Sequence, residues 1–110
     1  MVSQDEQRHH DRHRPNGVSL TLRRERASAD GETLHLSCRD ISRAGLGVEF
    51  PYSIPPDTDV ELWVSASGEP TLHLFGTVAW CAAPRGRWQA GIALDLERSD
   101  GGAWAARFDQ

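Results

Sequence analysis

The sequence predicts an all-β chain, a six-stranded antiparallel β-barrel with a short C-terminal α-helix. Three observations carry that expectation. Apolar and polar residues alternate in six separate segments, the period of half-buried strands. Clusters rich in Gly, Pro and Asp punctuate those segments, the spacing of a small barrel or sandwich. The alternation stops near Ser99, where Trp104 and Phe108 stand four apart, as on one face of a helix.

Taken in order, residues 1–15 are charged, rich in His and Arg, and end at Pro15, which reads as a flexible arm. The barrel and its helix are expected over 16–110. Val18, Leu20 and Leu22 share one face of the first strand, and Leu34, Leu36 and Cys38 one face of the second. Leu46, Val48 and Phe50 follow, then Val60, Leu62 and Val64. The fifth segment carries Leu72, Leu74, Val78 and Trp80, and the sixth Trp88, Ala90, Ile92 and Leu94. Parity with Val78 places Trp80 inward. Trp63 falls on the face opposite Leu62 and Val64, an exposed aromatic that marks a partner or packing surface. Asp30-Gly31, Ser67-Gly68-Glu69-Pro70 and Pro84-Arg85-Gly86 supply turn chemistry. Closure into a barrel is favoured over an open sandwich because it removes exposed edges. Ser99 or Asp100 is the expected cap of the final helix, with Gly101-Gly102 working against it.

Composition narrows the function. At 38% hydrophobic and 25% charged, the 110 residues have the balance of one soluble domain. No apolar run nears the roughly 20 residues of a membrane span, and the N-terminus lacks the apolar stretch of a secretory signal. Cys38 and Cys81 are far apart, without metal-ligand or redox spacing, so a reduced, buried pair in a cytoplasmic protein is expected. The net charge of −4 argues against a binder of nucleic-acid polymers, whose footprint is basic. All 12 basic residues are arginine, and six of them (Arg8, Arg12, Arg14, Arg23, Arg24, Arg26) fall in the first quarter. A GC-rich genome accounts for much of that usage. A guanidinium nevertheless grips phosphate bidentately and stacks on aromatic planes, so a local cluster on an acidic domain suits a small anionic ligand.

Two motifs concentrate the chemistry. The stretch CRDISRAGLG (Cys38–Gly47) joins two strands whose apolar faces both fall on even positions. A bulged or tightly turned connection preserves that register, with Gly45 and Gly47 supplying conformations other residues resist. By itself it is also a turn in which Asp40 and Ser42 satisfy local backbone donors. The arm carries RHHDR (Arg8–Arg12), by itself a solvated polar segment.

Together, RxxxR (Arg8, Arg12) followed by DxSxxG (Asp40, Ser42, Gly45) resembles the PilZ domain, the bacterial receptor module for cyclic di-GMP. DISRAGLGVEF, IPPDTDVELWV, FGTVAW and RWQAGIALDL extend the resemblance over nearly the whole chain. It implies a PilZ-type barrel that binds cyclic di-GMP through Arg8, Arg12, Asp40, Ser42 and Gly45. Arg14 and Arg43 are candidates for further phosphate contacts, and Trp80 is a secondary candidate as a ring beside the ligand, against core packing as its reading from parity. The residue types fit that ligand. Guanidinium groups pair with phosphate or guanine, and a carboxylate accepts from the Watson–Crick donors of guanine. Gln7 stands where many family members carry arginine or an apolar residue, a position linked to ligand number, so one or two nucleotides remain open. The resemblance further implies a signalling adaptor, monomeric or homodimeric, that acts on an effector protein and needs no cofactor or metal. A PilZ-fold interaction module that does not bind the nucleotide is the alternative. A single-stranded nucleic-acid barrel using Trp63 is opposed by the acidic charge. A metal tract at His9, His10, Asp11 and His13 lacks the fixed geometry a site needs. A hydrolase assembled from Ser42, His73 and Asp95 has no supporting signature, so no enzymatic activity is expected.

Overall fold

The computed structural model describes residues 17–25, 32–66 and 68–109. The arm of residues 1–15, with Arg8, Arg12 and Arg14, lies outside the described residues, as does the Asp30-Gly31 turn. Six strands run in chain order: β1 (Val18–Arg24), β2 (Leu34–Ser42), β3 (Gly45–Phe50), β4 (Asp59–Ala66), β5 (Leu72–Ala82) and β6 (Trp88–Leu94). A short helix, α1 (Gly101–Ala106), follows. The strands close into an antiparallel barrel in the order β1-β2-β3-β6-β5-β4, sealed where β1 pairs with β4 from Val18↔Ala66 to Arg24↔Val60. The expected all-β barrel with one short helix is what forms.

The alternation explains the core. Leu20, Leu22, Leu46, Val48, Phe50, Val60, Leu62, Val64, Leu72, Leu74, Val78, Ala90 and Ile92 are buried within the barrel, and Leu34, Leu36 and Cys38 pack against them. Burying such side chains stabilises by about 1.5–3 kcal/mol each. Gly68 and Gly86 take positive φ in the turns flanking β5, where a side chain would be strained.

Two bulges interrupt the ladders. Cys38 pairs with Val48 but Asp40 with Gly47, leaving Arg39 extra on β2. Val78 pairs with Ile92 but Trp80 with Gly91, leaving Ala79 extra on β5. Each extra residue reverses the side-chain parity that follows it. On β2 the bulge compensates for a two-residue turn, Arg43-Ala44, between the paired Ser42 and Gly45, so the register is kept as expected. The ten-residue connection is therefore mostly strand. On β5 the bulge turns Trp80 outward, where it is 45% exposed, and Cys81 inward against the core. Parity with Val78 failed for Trp80 because period two does not survive an inserted residue.

The helix closes one end of the barrel. Asp100 occupies the N-cap position without a side-chain cap bond; its carboxylate accepts the His73 backbone N–H at 2.8 Å instead. Gly101 tolerates close packing, since a Cβ there would meet Leu96 Cα at 2.6 Å. Trp104 is buried and its ring lies 5.2 Å from that of Phe108, the shared face expected. Trp63 is not a free aromatic surface. The Arg23 guanidinium lies over it at 5.5 Å and the His73 ring at 5.3 Å.

Candidate ligand-binding site

The β2–β3 hairpin and its neighbours β6 and β5 form one outer wall of the barrel. Across it runs a row of paired residues, Asp40–Gly47–Gly91–Trp80, one from each strand. The next outward-facing row is Ser42–Gly45–Ala93–Thr77. Three inter-strand spacings of about 4.8 Å set the Asp40 and Trp80 backbones about 14 Å apart across the sheet. Between them the side chains are glycine, alanine and serine. On the Trp80 side of this wall lies a shallow groove of about 240 Å³, lined by Ser42, Ala44, Gly45, Leu46, Ala79, Trp80, Gly91, Ile92 and Ala93, with Asp40 and Gly47 adjoining it on β2 and β3.

Each glycine has a steric reason. At Gly47 a Cβ would sit 2.8 Å from Asp40 Oδ1 and 3.0 Å from Oδ2, so the Asp40 carboxylate rests across the bare Gly47 backbone. At Gly91 a Cβ would collide with Trp80 Nε1 and meet Cε2 at 2.7 Å and Cδ1 at 2.8 Å, so the indole covers that glycine. At Gly45 a Cβ would meet the Ile92 carbonyl oxygen at 2.9 Å. Gly45 and Gly47 do not have positive φ. They are required for space rather than for conformation, which corrects the sequence expectation.

The Ser42 hydroxyl donates to the Gly45 carbonyl at 3.3 Å, closing the turn, while the Ser42 carbonyl accepts the Trp104 indole N–H at 3.1 Å. Arg43, at the turn, pairs through Nε with Asp109 Oδ1 at 3.0 Å. Beneath Asp40, the Cys38 thiol donates to the Asp40 carbonyl at 3.5 Å. Burial, with the Asp40 carboxylate nearby, pushes that thiol up to about 11.

A family model described as PilZ domain matches residues 6–103. The chain belongs to the PilZ domain family. Among solved structures, this PilZ barrel is similar to the Bacillus subtilis Inhibitor of motility (MotI/DgrA), at 13% identity and a TM-score of 0.68. That likeness covers 89% of this chain and 47% of the other, so the chain spans about half the length of that protein. At this identity the likeness shows the fold. No curated protein matches the chain.

Of the residues singled out in the sequence, Asp40, Ser42 and Gly45 lie together at the Arg43-Ala44 end of the wall, and Trp80 faces them from β5. Arg43 points to the C-terminal segment. Arg8, Arg12 and Arg14 lie outside the described residues, so their placement against the groove is not part of this geometry. Gly91, which lines the groove under Trp80, and Gly47, which lies under the Asp40 carboxylate, were missed as site positions. The signal was available in Gly91, the one glycine within β6.

Ser42, His73 and Asp95 are held by separate partners. Nε2 of His73 donates to Glu61 Oε2 at 2.6 Å, and Nδ1 shares a hydrogen bond of 2.7 Å with the Ser99 hydroxyl. Asp95 Oδ1 accepts the Glu97 backbone N–H at 3.0 Å. The Glu61–His73–Ser99 chain ties β4 and β5 to the turn before α1, and none of the three lines the groove. Among the described residues, no group of three His, Cys, Asp or Glu side chains is placed to hold a metal ion. No helix there is long and apolar enough to cross a membrane.

Proposed function

We propose that this PilZ domain is a receptor for cyclic di-GMP, a binding module rather than an enzyme, which passes its ligand state to an effector protein. The observation that carries the reading is the row Asp40–Gly47–Gly91–Trp80. A carboxylate rests over the glycine at one end and an exposed indole over the glycine at the other, with no larger side chain between them. Asp40 accepts from the N1–H and N2–H donors of a guanine. Trp80 offers a face for a base to stack on. Ser42 and Gly45 receive the sugar-phosphate where no side chain obstructs it. Arg8 and Arg12 of the arm, with Arg14 beside them, bring the positive charge that two phosphates require, and the acidic domain as a whole disfavours longer nucleic acids.

Isothermal titration of the purified chain with cyclic di-GMP tests this. The expected result is a dissociation constant of about 1 μM or tighter, a binding free energy of about −8 kcal/mol, severely weakened by Arg12→Ala or Asp40→Ala. A folded sample that releases no heat overturns the reading and leaves a PilZ-fold interaction module. The same titration gives the stoichiometry, one nucleotide or two.

A further inference from the structure

We propose that Asp109 is an autoinhibitory latch beside the groove, in which its carboxylate occupies the Arg43 guanidinium in place of a ligand phosphate. The inference rests on the cyclic di-GMP reading above and adds a regulatory contact to that site.

The β2–β3 turn is shared between two neighbours. Ser42 and Ala44 line the groove, and Arg43 between them donates from Nε to Asp109 Oδ1 at 3.0 Å. Arg43 is thus the cation nearest in sequence to the motif serine, and a carboxylate of the same chain already holds it. A guanidinium fork that faces a carboxylate has the geometry to receive a phosphate, and the two anions compete for the same N–H donors. The contact is built to be exchanged. Both side chains are 54% exposed, and ion pairs of that exposure are weak and sensitive to salt.

What lies behind Asp109 is firmly held. Trp104 is 2% exposed and donates its indole N–H to the Ser42 carbonyl. Arg107 donates to the Pro70 carbonyl at 3.2 Å and faces Glu69 at 3.6 Å. The helix is therefore pinned to the barrel at Trp104 and Arg107, and Phe108 packs on Trp104 and the core, so the exposed Asp109 side chain is the part that can swing. Ligand capture by Arg43 frees Asp109 without dislodging α1, so the tail reports the state of the groove.

The test is titration of cyclic di-GMP into the full chain and its variants at low salt, with circular dichroism confirming each fold. Asp109→Asn is expected to bind about two- to fivefold tighter than the wild type. The gain should shrink as salt is added and vanish in an Arg43→Ala background. In a ¹⁵N-labelled wild-type sample, saturating nucleotide should move the Asp109 amide resonance and increase its mobility. Wild-type binding with Asp109→Asn no tighter overturns the latch and leaves the receptor reading standing. A gain that persists without Arg43 also overturns it, since the effect is then one of net charge. Absence of wild-type binding overturns both.

Discussion

The Trp80 indole lies over Gly91, its cross-strand partner, so closely that a single methyl group on Gly91 would collide with the ring. The bulge at Ala79 turns the indole out of the barrel, and the glycine gives it a surface to rest on. Fixed in this way, an exposed aromatic ring is pre-organised for stacking, which reduces the ordering cost of binding. Trp80→Ala should lower cyclic di-GMP affinity by about 5- to 150-fold, the range of one lost base stack of about 1–3 kcal/mol. Because Trp80 is 45% exposed, the same change should cost at most about 1 kcal/mol of stability. Calorimetric titration beside thermal melts separates the two effects. A large fall in melting temperature with unchanged affinity would make Trp80 a packing residue.

Gly47→Ala attacks the other end of the row. Its Cβ would meet the carboxylate oxygens of Asp40 at 2.8 and 3.0 Å, and those atoms end a short rotatable side chain. The fold can therefore yield cheaply by moving Asp40, but the carboxylate then leaves its place over Gly47 beside the groove. Gly47→Ala should melt within a few degrees of the wild type, a loss of about 1 kcal/mol or less, yet bind nucleotide nearly as poorly as Asp40→Ala. Affinity equal to that of the wild type would show that the position of Asp40 does not matter.

The Cys38 thiol, pushed up to about 11 mainly by burial and further by the Asp40 carboxylate, reports on that carboxylate. At pH 8 almost none of it is thiolate, the reactive form, so alkylation of the folded chain at Cys38 should be slow. Asp40→Asn removes the smaller contribution and leaves burial. The thiol should shift downward yet stay above the ordinary cysteine value, and alkylation should speed up. Rates measured from pH 7 to 10, with Cys81 replaced by Ser, check this. An unchanged profile would mean the Asp40 charge does not reach Cys38.

Much of this architecture is legible in the chain because burial imposes period two on strands. Val60, Leu62 and Val64, or Leu46, Val48 and Phe50, announce both their strand and the face it buries. The DxSxxG motif likewise places Asp40, Ser42 and Gly45 at one hairpin. The bulges were only half legible. An extra residue leaves no mark in composition, so Arg39 could be inferred from parity on both sides of the turn, whereas Ala79 silently reversed Trp80. Gly47 and Gly91 were obscure for a related reason. Their value lies in which side chain covers them, and that is decided by pairing across strands far apart in sequence. Asp109 on Arg43 belongs to the same class, a contact between residues 66 positions apart.

Glu61 sets a pH dependence away from the groove. Burial pushes its carboxyl up, but hydrogen bonds from His73 and Arg23 outweigh that and hold it below the ordinary glutamate value. A group whose value is lowered by folding contributes stability that is complete above its unfolded pKa of about 4.3 and is lost as pH falls through the folded value. The wild type should therefore exceed Glu61→Gln above about pH 5, and the margin should close below about pH 4. Urea unfolding at half-unit intervals from pH 3 to 7 measures it. A margin that is the same at pH 3 as at pH 7 would show that the Glu61 charge contributes nothing.

Trp104 is the joint between α1 and the candidate site, and two substitutions distinguish its packing from its hydrogen bond. It is buried and donates to the Ser42 carbonyl at 3.1 Å, at the residue whose side chain faces the groove. Trp104→Ala should cost about 3–5 kcal/mol through the cavity it leaves, a large share of the 5–15 kcal/mol typical of a domain. Trp104→Phe keeps most of the apolar volume but leaves the Ser42 carbonyl without its donor, a loss of about 1–3 kcal/mol. If that hydrogen bond also fixes the hairpin for ligand, Trp104→Phe should weaken cyclic di-GMP binding although the residue lies inside, away from the nucleotide. Urea melts give the stability of each variant, and titration at a temperature where Trp104→Phe is fully folded gives the affinity. Wild-type affinity in that folded variant would confine Trp104 to holding the helix in place, with no part in shaping the groove.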